Sequence, residues 1–365
     1  MNNTIHSGLF IALYDEKTLE LYLKKGIYGF LMKPNTYVSP QSRHFNALAD
    51  YACAREGTHV FFFLKRKIYY GGQIVGNKDI GSFYINGSNS PLGVFNHASV
   101  SWDESQRYIA KDEEGIFGVV RDGKEELRCQ PYLIRFEDRI NQKGKNIISD
   151  DLYFELGTYP LPLPSNSMRG MGFCTLTPKE AEIALELIYN STETIKFVSD
   201  EELTVNEEKL VLFNGDFPEG STIDATKMVN EAQIEAYLLA KPNMLPQHIR
   251  PSEGDVLCRQ VPISPFKPDN IDRADICIFK QDKVLGGLIP NVIIELKKNK
   301  ANKDVIAQVT RYLRWLEKLL GRDSRDFGKI KVYVLAPGFT SRTKEHIPEE
   351  YEEKIQLMSY SGEEF

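Results

Sequence analysis

The sequence predicts a protein in two parts: an α+β, barrel-like module of short strands, then an α/β domain whose mixed central sheet is flanked by helices. Three observations predict this. At 365 residues the chain exceeds one average domain and suits two. Residues 1–130 are rich in β-branched and aromatic residues punctuated by Gly, Asn and Ser, a composition that favours short strands. From residue 230 the pattern becomes helix, strand, strand, helix, strand, the alternation of an α/β layer. The expected organisation is a first module over 1–190, a polar link over 191–229 and a second domain over 230–365.

In the first module, His59 to Leu64 and Ile68 to Val75 read as a hairpin around Lys65, Arg66 and Lys67. Ser82 to Ile85 and Gly115 to Val120 read as further strands. Helical signal is confined to 15–25, 43–55 and 178–190, and the last opens with Thr177-Pro178 as N-cap and first turn. The run Tyr159 to Ser167 is a loop by its prolines. Acidic residues, Asn214-Gly215 and Pro218-Glu219-Gly220 mark the link.

In the second domain Asn230 is a natural N-cap with Gln233 as its capping-box partner. Ile234, Tyr237 and Leu238 give that helix an apolar face. Strands are expected at 256–261, 273–279 and 291–297, with a turn at Gly286-Gly287. Val305, Val309, Leu316 and Leu320 recur at helical spacing over 303–320, and Lys331 to Ala336 reads as a buried strand.

Composition bounds the function. Hydrophobic content of 42% and charged content of 26% are ordinary for a folded globular protein. No run of about 18 apolar residues is present, so no membrane span is expected. The N-terminus lacks the basic start and apolar core of a signal peptide. Five scattered cysteines (53, 129, 174, 258, 277), with no CxxC pair, argue for a reducing, cytoplasmic setting. The net charge of −6 is unevenly placed. Lys297, Lys298, Lys300, Lys303, Arg311, Arg314, Lys318 and Arg322 fall within 28 residues, while seven glutamates crowd 345–365. Alone, such a basic run is a solvated helix face.

Its neighbours give it meaning. Asp275 sits in one apolar run (Arg-Ala-Asp-Ile-Cys-Ile-Phe), and Glu295 and Lys297 close the next (Val-Ile-Ile-Glu-Leu-Lys). Strand alternation puts Glu295 and Lys297 on one face. If the two strands pair, both carboxylates reach one hard cation. Mg²⁺ fits, since it takes few protein carboxylates and keeps several waters; Mn²⁺ can substitute. Such an ion polarises a phosphate and activates water, while Lys297 orients or deprotonates that water. Gln308 and Tyr312 share a helix face one turn apart. Glu-x-Lys alone recurs by chance, and the conjunction is what points to phosphodiester hydrolysis. Asp269 and Asp272 read as loop acids, Trp315 as core or interface, and His248 and His346 lack partners at ligand spacing.

These residues resemble the PD-(D/E)XK nuclease superfamily, and within it the catalytic domain of NucS-type (EndoMS) DNA endonucleases. The matching segments are Glu231 to Pro242, Arg273-Ala-Asp-Ile, Val292-Ile-Ile-Glu-Leu-Lys-Lys, Gln308-Val-Thr-Arg-Tyr-Leu and Val334-Leu-Ala-Pro-Gly-Phe-Thr. The resemblance covers under a third of the chain. It implies that Glu231 joins Asp275 and Glu295 at the metal through water, with Glu235 as the fallback, and that Gln308 and Tyr312 position Lys297 or the phosphate. Ala274 replaces the family's nominal proline, and the Asp275-to-Glu295 interval implies a longer hairpin at 280–290. The first half is faintly similar to PUA-like modules of the EVE and YTH kind, on Ala54 to Leu64, Ile68 to Gly76 and Arg169-Gly-Met-Gly-Phe. That similarity implies a reader of single, often modified, bases. Trp102, Tyr69, Tyr70, Phe83 and Tyr84 are candidates to line its pocket by stacking, although strand aromatics also pack cores.

The expectation is a Mg²⁺-dependent endonuclease of restriction or defence, acting on double-stranded DNA that carries a modified base, and a homodimer where both strands are cut. Lys298, Lys300, Arg311, Arg314, Lys65, Arg66 and Lys67 are the candidate phosphate contacts. Mismatch-directed repair cleavage of NucS type, RNA processing and a catalytically inert nucleic-acid binder are the alternatives.

Overall fold

The computed structural model describes residues 6–34, 42–87, 91–92, 100–102, 108–110, 116–121, 124–157, 172–198, 203–217, 227–228, 230–263 and 272–365. It is a mixed α+β architecture. The first half is organised on a nine-stranded sheet whose spine runs β6-β1-β2-β3-β5-β4-β7. These strands are β1 (Gly8–Ala12), β2 (His59–Leu64), β3 (Lys67–Ile74), β4 (Tyr84–Ile85), β5 (Tyr132–Glu137), β6 (Cys174–Leu176) and β7 (Val211–Leu212). β1 and β2 are parallel and the other neighbours on the spine antiparallel. Helices α1 (Glu16–Lys25), α2 (Ser42–Ala52), α3 (Ser149–Leu156) and α4 (Pro178–Asn190) belong to this half. The expected start of α4 is present as a full capping box: Glu180 N–H donates to the Thr177 hydroxyl, and the Glu180 carboxylate accepts from Thr177 N–H.

The β2–β3 hairpin turns on two residues, Lys65 and Arg66, at φ 51° and 63°, and Lys67 begins the next strand. Two left-handed central residues make a type I′ turn, whose twist matches a hairpin. The segment expected to link the halves is partly folded into the first one: β7 pairs with β4, and 203–205 pairs with 100–102.

Two of the aromatics proposed for a base pocket are core residues instead. Tyr70 and Phe83 are fully buried. Phe83 stacks on Phe213 with centroids 4.8 Å apart and meets Tyr132 edge-on, while Tyr70 packs edge-on against Phe61. Rings alternating along a strand have buried their faces in one another. Tyr69 and Tyr84 are partly buried against that core. Trp102 ends the strand 100–102, and its side chain lies outside the described residues, as does Asp269.

The second half is a five-stranded sheet in chain order: β8 (Val256–Pro262), β9 (Arg273–Phe279), β10 (Val292–Leu296), β11 (Lys331–Leu335) and β12 (Ile355–Met358). The first two junctions are antiparallel, the last two parallel. Helix α6 (Lys303–Leu320) crosses from β10 to β11, burying Val305, Val309, Leu313 and Leu316. Helix α5 (Glu231–Ala240) starts at Asn230, whose side chain accepts from Gln233 N–H. The Gln233 amide donates to the Tyr237 hydroxyl one turn on (3.3 Å). The extended β9–β10 connection holds a tight turn at Leu285–Gly287 with Gly286 and Gly287 at φ 69° and 94°. There the backbone runs against Pro178, 3.2 Å from where a Gly287 Cβ would stand.

All five cysteines are buried thiols. Among the described residues, no helix is long and apolar enough to cross a membrane.

Candidate active site

The antiparallel β9–β10 ladder pairs Ile276 with Ile294, so the register carried one residue further sets Asp275 opposite Glu295. The two carboxylates therefore share one face at the end of the ladder. Leu296 N–H donates to Asp275 Oδ2 (2.8 Å), fixing the aspartate to the neighbouring strand. Glu295 is 2% exposed and gripped from both sides. Lys297 Nζ donates to its Oε1 (2.8 Å), and the Tyr312 hydroxyl lies 3.1 Å from Oε2. Gln308 Nε2 donates to that hydroxyl (2.6 Å), whose single proton can also go to the Arg273 carbonyl (2.9 Å). The expected Gln–Tyr pair thus sits on Glu295 and not on Lys297.

Lys297 is placed by its backbone. It follows β10 directly, its N–H donates to the Leu335 carbonyl (2.8 Å), and its own carbonyl accepts from the Tyr360 hydroxyl (2.9 Å). Tyr360 comes from the acid-rich tail, which returns to the sheet as β12 before reaching the site.

The electrostatics show what the pair lacks. Burial pushes Asp275 well above the usual carboxylate range, and the charges of Glu295 and Glu235 push it further against the pull of Lys297. Burial raises Glu295 as well, opposed by Lys297, Tyr312 and Gln308. Burial alone would lower the Lys297 ammonium, but Glu295 and Asp275 outweigh it and hold the lysine above its ordinary value. One ammonium thus serves two opposed carboxylates, and a small divalent cation fits the deficit.

Glu231, expected at the metal through water, lines the same cleft as Asp275. Among the described residues, no three Asp, Glu, His or Cys side chains converge as a metal-binding set. Glu231, on the exposed first turn of α5, accepts from Lys298 N–H (3.2 Å), and its charge acts on Lys297. Glu235, one turn on, is buried and committed to Arg259, which donates to both its oxygens at 2.9 and 2.8 Å. Any cation would rest on Asp275 and Glu295, with water and substrate completing its shell.

Asp275 opens onto a cleft of about 480 Å³. Glu231, Glu235 and Gln260 line it from the second half, and Ser42 and Asn46 of α2 from the first. Lys298 is on its rim, and Lys300 follows on the same connection. Other expected cations are paired within the chain. Arg311 grips Asp272 through two hydrogen bonds (2.9 and 3.0 Å), Lys65 pairs with Glu16, Arg66 with Asp150 and Lys67 with Glu193. Asp272 is thereby a pairing partner of α6. Arg314 lies on α6, as does Trp315, which packs partly buried against the core. His248 contacts the Met358 sulfur (3.1 Å) and His346 the Arg342 carbonyl (2.7 Å).

The sequence reading missed Arg259, Gln260 and Tyr360. Two consecutive polar residues inside the apolar run Val-Leu-Cys-Arg-Gln-Val were the available signal for the first two.

No protein-family model and no curated protein sequence matches the chain. Among solved structures, it is similar to an EndoMS in complex with double-stranded DNA, at 14% identity over 92% of this chain and 97% of that one, with a TM-score of 0.25. It is similar to a repair endonuclease from Pyrococcus abyssi at 13% identity, over 91% and 97% of the two chains (TM-score 0.24). An EndoMS in apo form matches at 12% identity over 91% and 96% (TM-score 0.23). At these scores the likeness carries no functional weight.

Proposed function

We propose that this chain is a metal-dependent DNA endonuclease of PD-(D/E)XK type. The observation that carries it is the opposed, charge-deficient pair Asp275 and Glu295, with Lys297 on Glu295 and a polar cleft over Asp275. Asp275 and Glu295 would hold Mg²⁺, or Mn²⁺ in its place, which when bound polarises a phosphate and lowers the pKa of water. Lys297 holds the attacking water or meets the charge that builds on the phosphate. Gln308 and Tyr312 fix Glu295. Lys298 and Lys300 attract the DNA backbone.

The first half contributes a wall of the cleft through α2, which supports a reading role for it. A PUA-like reader joined to a cutter suits restriction or defence, with double-stranded DNA carrying a modified base as substrate and a homodimer to cut both strands.

The test is cleavage of matched duplexes, one unmodified and one carrying methylated or hydroxymethylated cytosine, with Mg²⁺ or EDTA. Metal-dependent cutting is expected, with the modified duplex preferred. Lys297→Ala should lower the rate about 10²- to 10⁴-fold with the fold intact. Wild-type-like cutting by that variant would remove Lys297 from the mechanism.

A further inference from the structure

Strand β8 carries Arg259 and Gln260 through an otherwise apolar run. Arg259 is 3% exposed, yet its guanidinium is surrounded by acceptors. Besides the two oxygens of Glu235, it donates to Asp50 on α2 and to the carbonyl and side-chain oxygens of Asn46 (3.3 Å each). Asp50 is itself held by Gly172 N–H (2.6 Å).

Gln260 is backbone-strained. Its φ is +50°, a region that L side chains other than Asn and Asp rarely adopt. This is not a bulge, because Arg259 still faces Ile276 and Val261 still faces Ala274. The distortion is confined to one residue, and that residue's amide lies between two carboxylates. Its Nε2 donates to Glu235 Oε1 and to Asp275 Oδ1, both at 3.1 Å. One NH₂ group has two hydrogens, one for each carboxylate. With Leu296 N–H on Oδ2, both oxygens of Asp275 are then fixed.

Taking Asp275 as a cation ligand, as in the function proposed above, we infer that Gln260 is a positioning residue for Asp275. We infer also that Arg259 ties that positioning to helix α2, so the first half of the chain is part of the metal centre. The chain of contacts is continuous: Asp50 and Asn46 hold Arg259, Arg259 holds Glu235, and Gln260 joins Glu235 to Asp275. Residues of this kind behind a metal ligand orient it and raise its affinity, and their loss weakens binding about 10- to 100-fold. Glu235 belongs to this positioning set, since Arg259 and Gln260 together engage its carboxylate.

The test is titration of the full-length chain with Mn²⁺ alone, by calorimetry, comparing wild type with Gln260→Gly and Gln260→Asn. Glycine removes the backbone strain and the amide together. The Gly variant should therefore melt at or above the wild-type temperature while binding Mn²⁺ about tenfold or more weakly. Asparagine tolerates the left-handed backbone but is one methylene too short to span the carboxylates, and should show the same loss. Unchanged Mn²⁺ affinity in either folded variant overturns the inference. Wild-type chain that takes up no Mn²⁺ at millimolar concentration overturns it together with metal-dependent cleavage. Weakened uptake in the variants, from a wild type that cuts no duplex, upholds the inference and overturns only the nuclease reading.

Discussion

Glu180 shows how far a single burial moves a charge. Its carboxylate is 2% exposed at the start of α4, and burial pushes it up to about 7 against the Thr177 N–H that it accepts. In the unfolded chain it ionises near the ordinary glutamate value of 4.5. Between these values the folded protein keeps a proton that the unfolded chain has lost. Stability from this group is therefore complete below pH 4.5 and is lost as pH rises through 7. At about 1.4 kcal/mol per unit, the loss approaches about 3 kcal/mol. Asp50, raised by burial to about 6 despite Arg259, adds a smaller change of the same sign. Glu180→Gln keeps the acceptor and removes the titration. Urea unfolding at pH 5 and pH 8 should show wild type losing about 3 kcal/mol more than the variant across that interval. Equal losses would mean that Glu180 is ionised in the folded state.

Elements respond to their turns and caps, and the β2–β3 hairpin is the clearest case. Lys65 and Arg66 occupy left-handed positions where Asn-Gly is favoured, and their ion pairs with Glu16 and Asp150 are exposed. Exposed pairs are screened by solvent and contribute little, so the turn geometry dominates. Lys65→Asn with Arg66→Gly should raise stability by about 1 kcal/mol in urea unfolding. The salt slope of DNA binding should stay unchanged, because both cations are neutralised within the chain. A slope reduced by about 1 per residue would restore them as phosphate contacts. The hairpin was legible because its signal is local: two apolar runs and a polar pair. So were the α6 stripe and the Asp275, Glu295 and Lys297 pattern, each spelled by spacing within one or two elements. β12 was not, since Ile355, Leu357 and Met358 are hidden among glutamates that read as a solvated tail. Arg259 and Gln260 were not, because a buried charge makes sense only beside partners 24 and 209 residues away. Tyr70 and Phe83 were misread as pocket candidates for the converse reason: aromatic alternation does not say whether rings face a ligand or one another.

At the scale of the whole molecule, the question is whether the halves stand independently. Helix α5 is buried at every residue from Gln233 to Ala240, with α2 on one side and β9 and β10 on another. A helix buried on all its faces over these residues needs cover on all sides, including a partner for Glu235. Its last carbonyls are met by the first half, Ala240 by Gly81 N–H (2.9 Å) and Leu239 by Arg55. Phe83, Phe213, Phe217 and Tyr237 continue as a file of rings at 4.8, 5.5 and 4.1 Å. The buried apolar residues of both halves form one contiguous cluster. A shared core predicts one cooperative transition, against the two that a linked pair of independent domains would give. The chain has two tryptophans, Trp102 in the first half and Trp315 in the second. Trp315→Phe and Trp102→Phe therefore leave one reporter in each half. Their urea midpoints should coincide. Tyr237→Ala, which removes the last ring of the file at a cost of about 3–5 kcal/mol, should lower both together. Midpoints that separate, with Tyr237→Ala moving only the Trp315 signal, would show that the first half holds its fold alone and that α5 belongs to the second half energetically as well as in sequence.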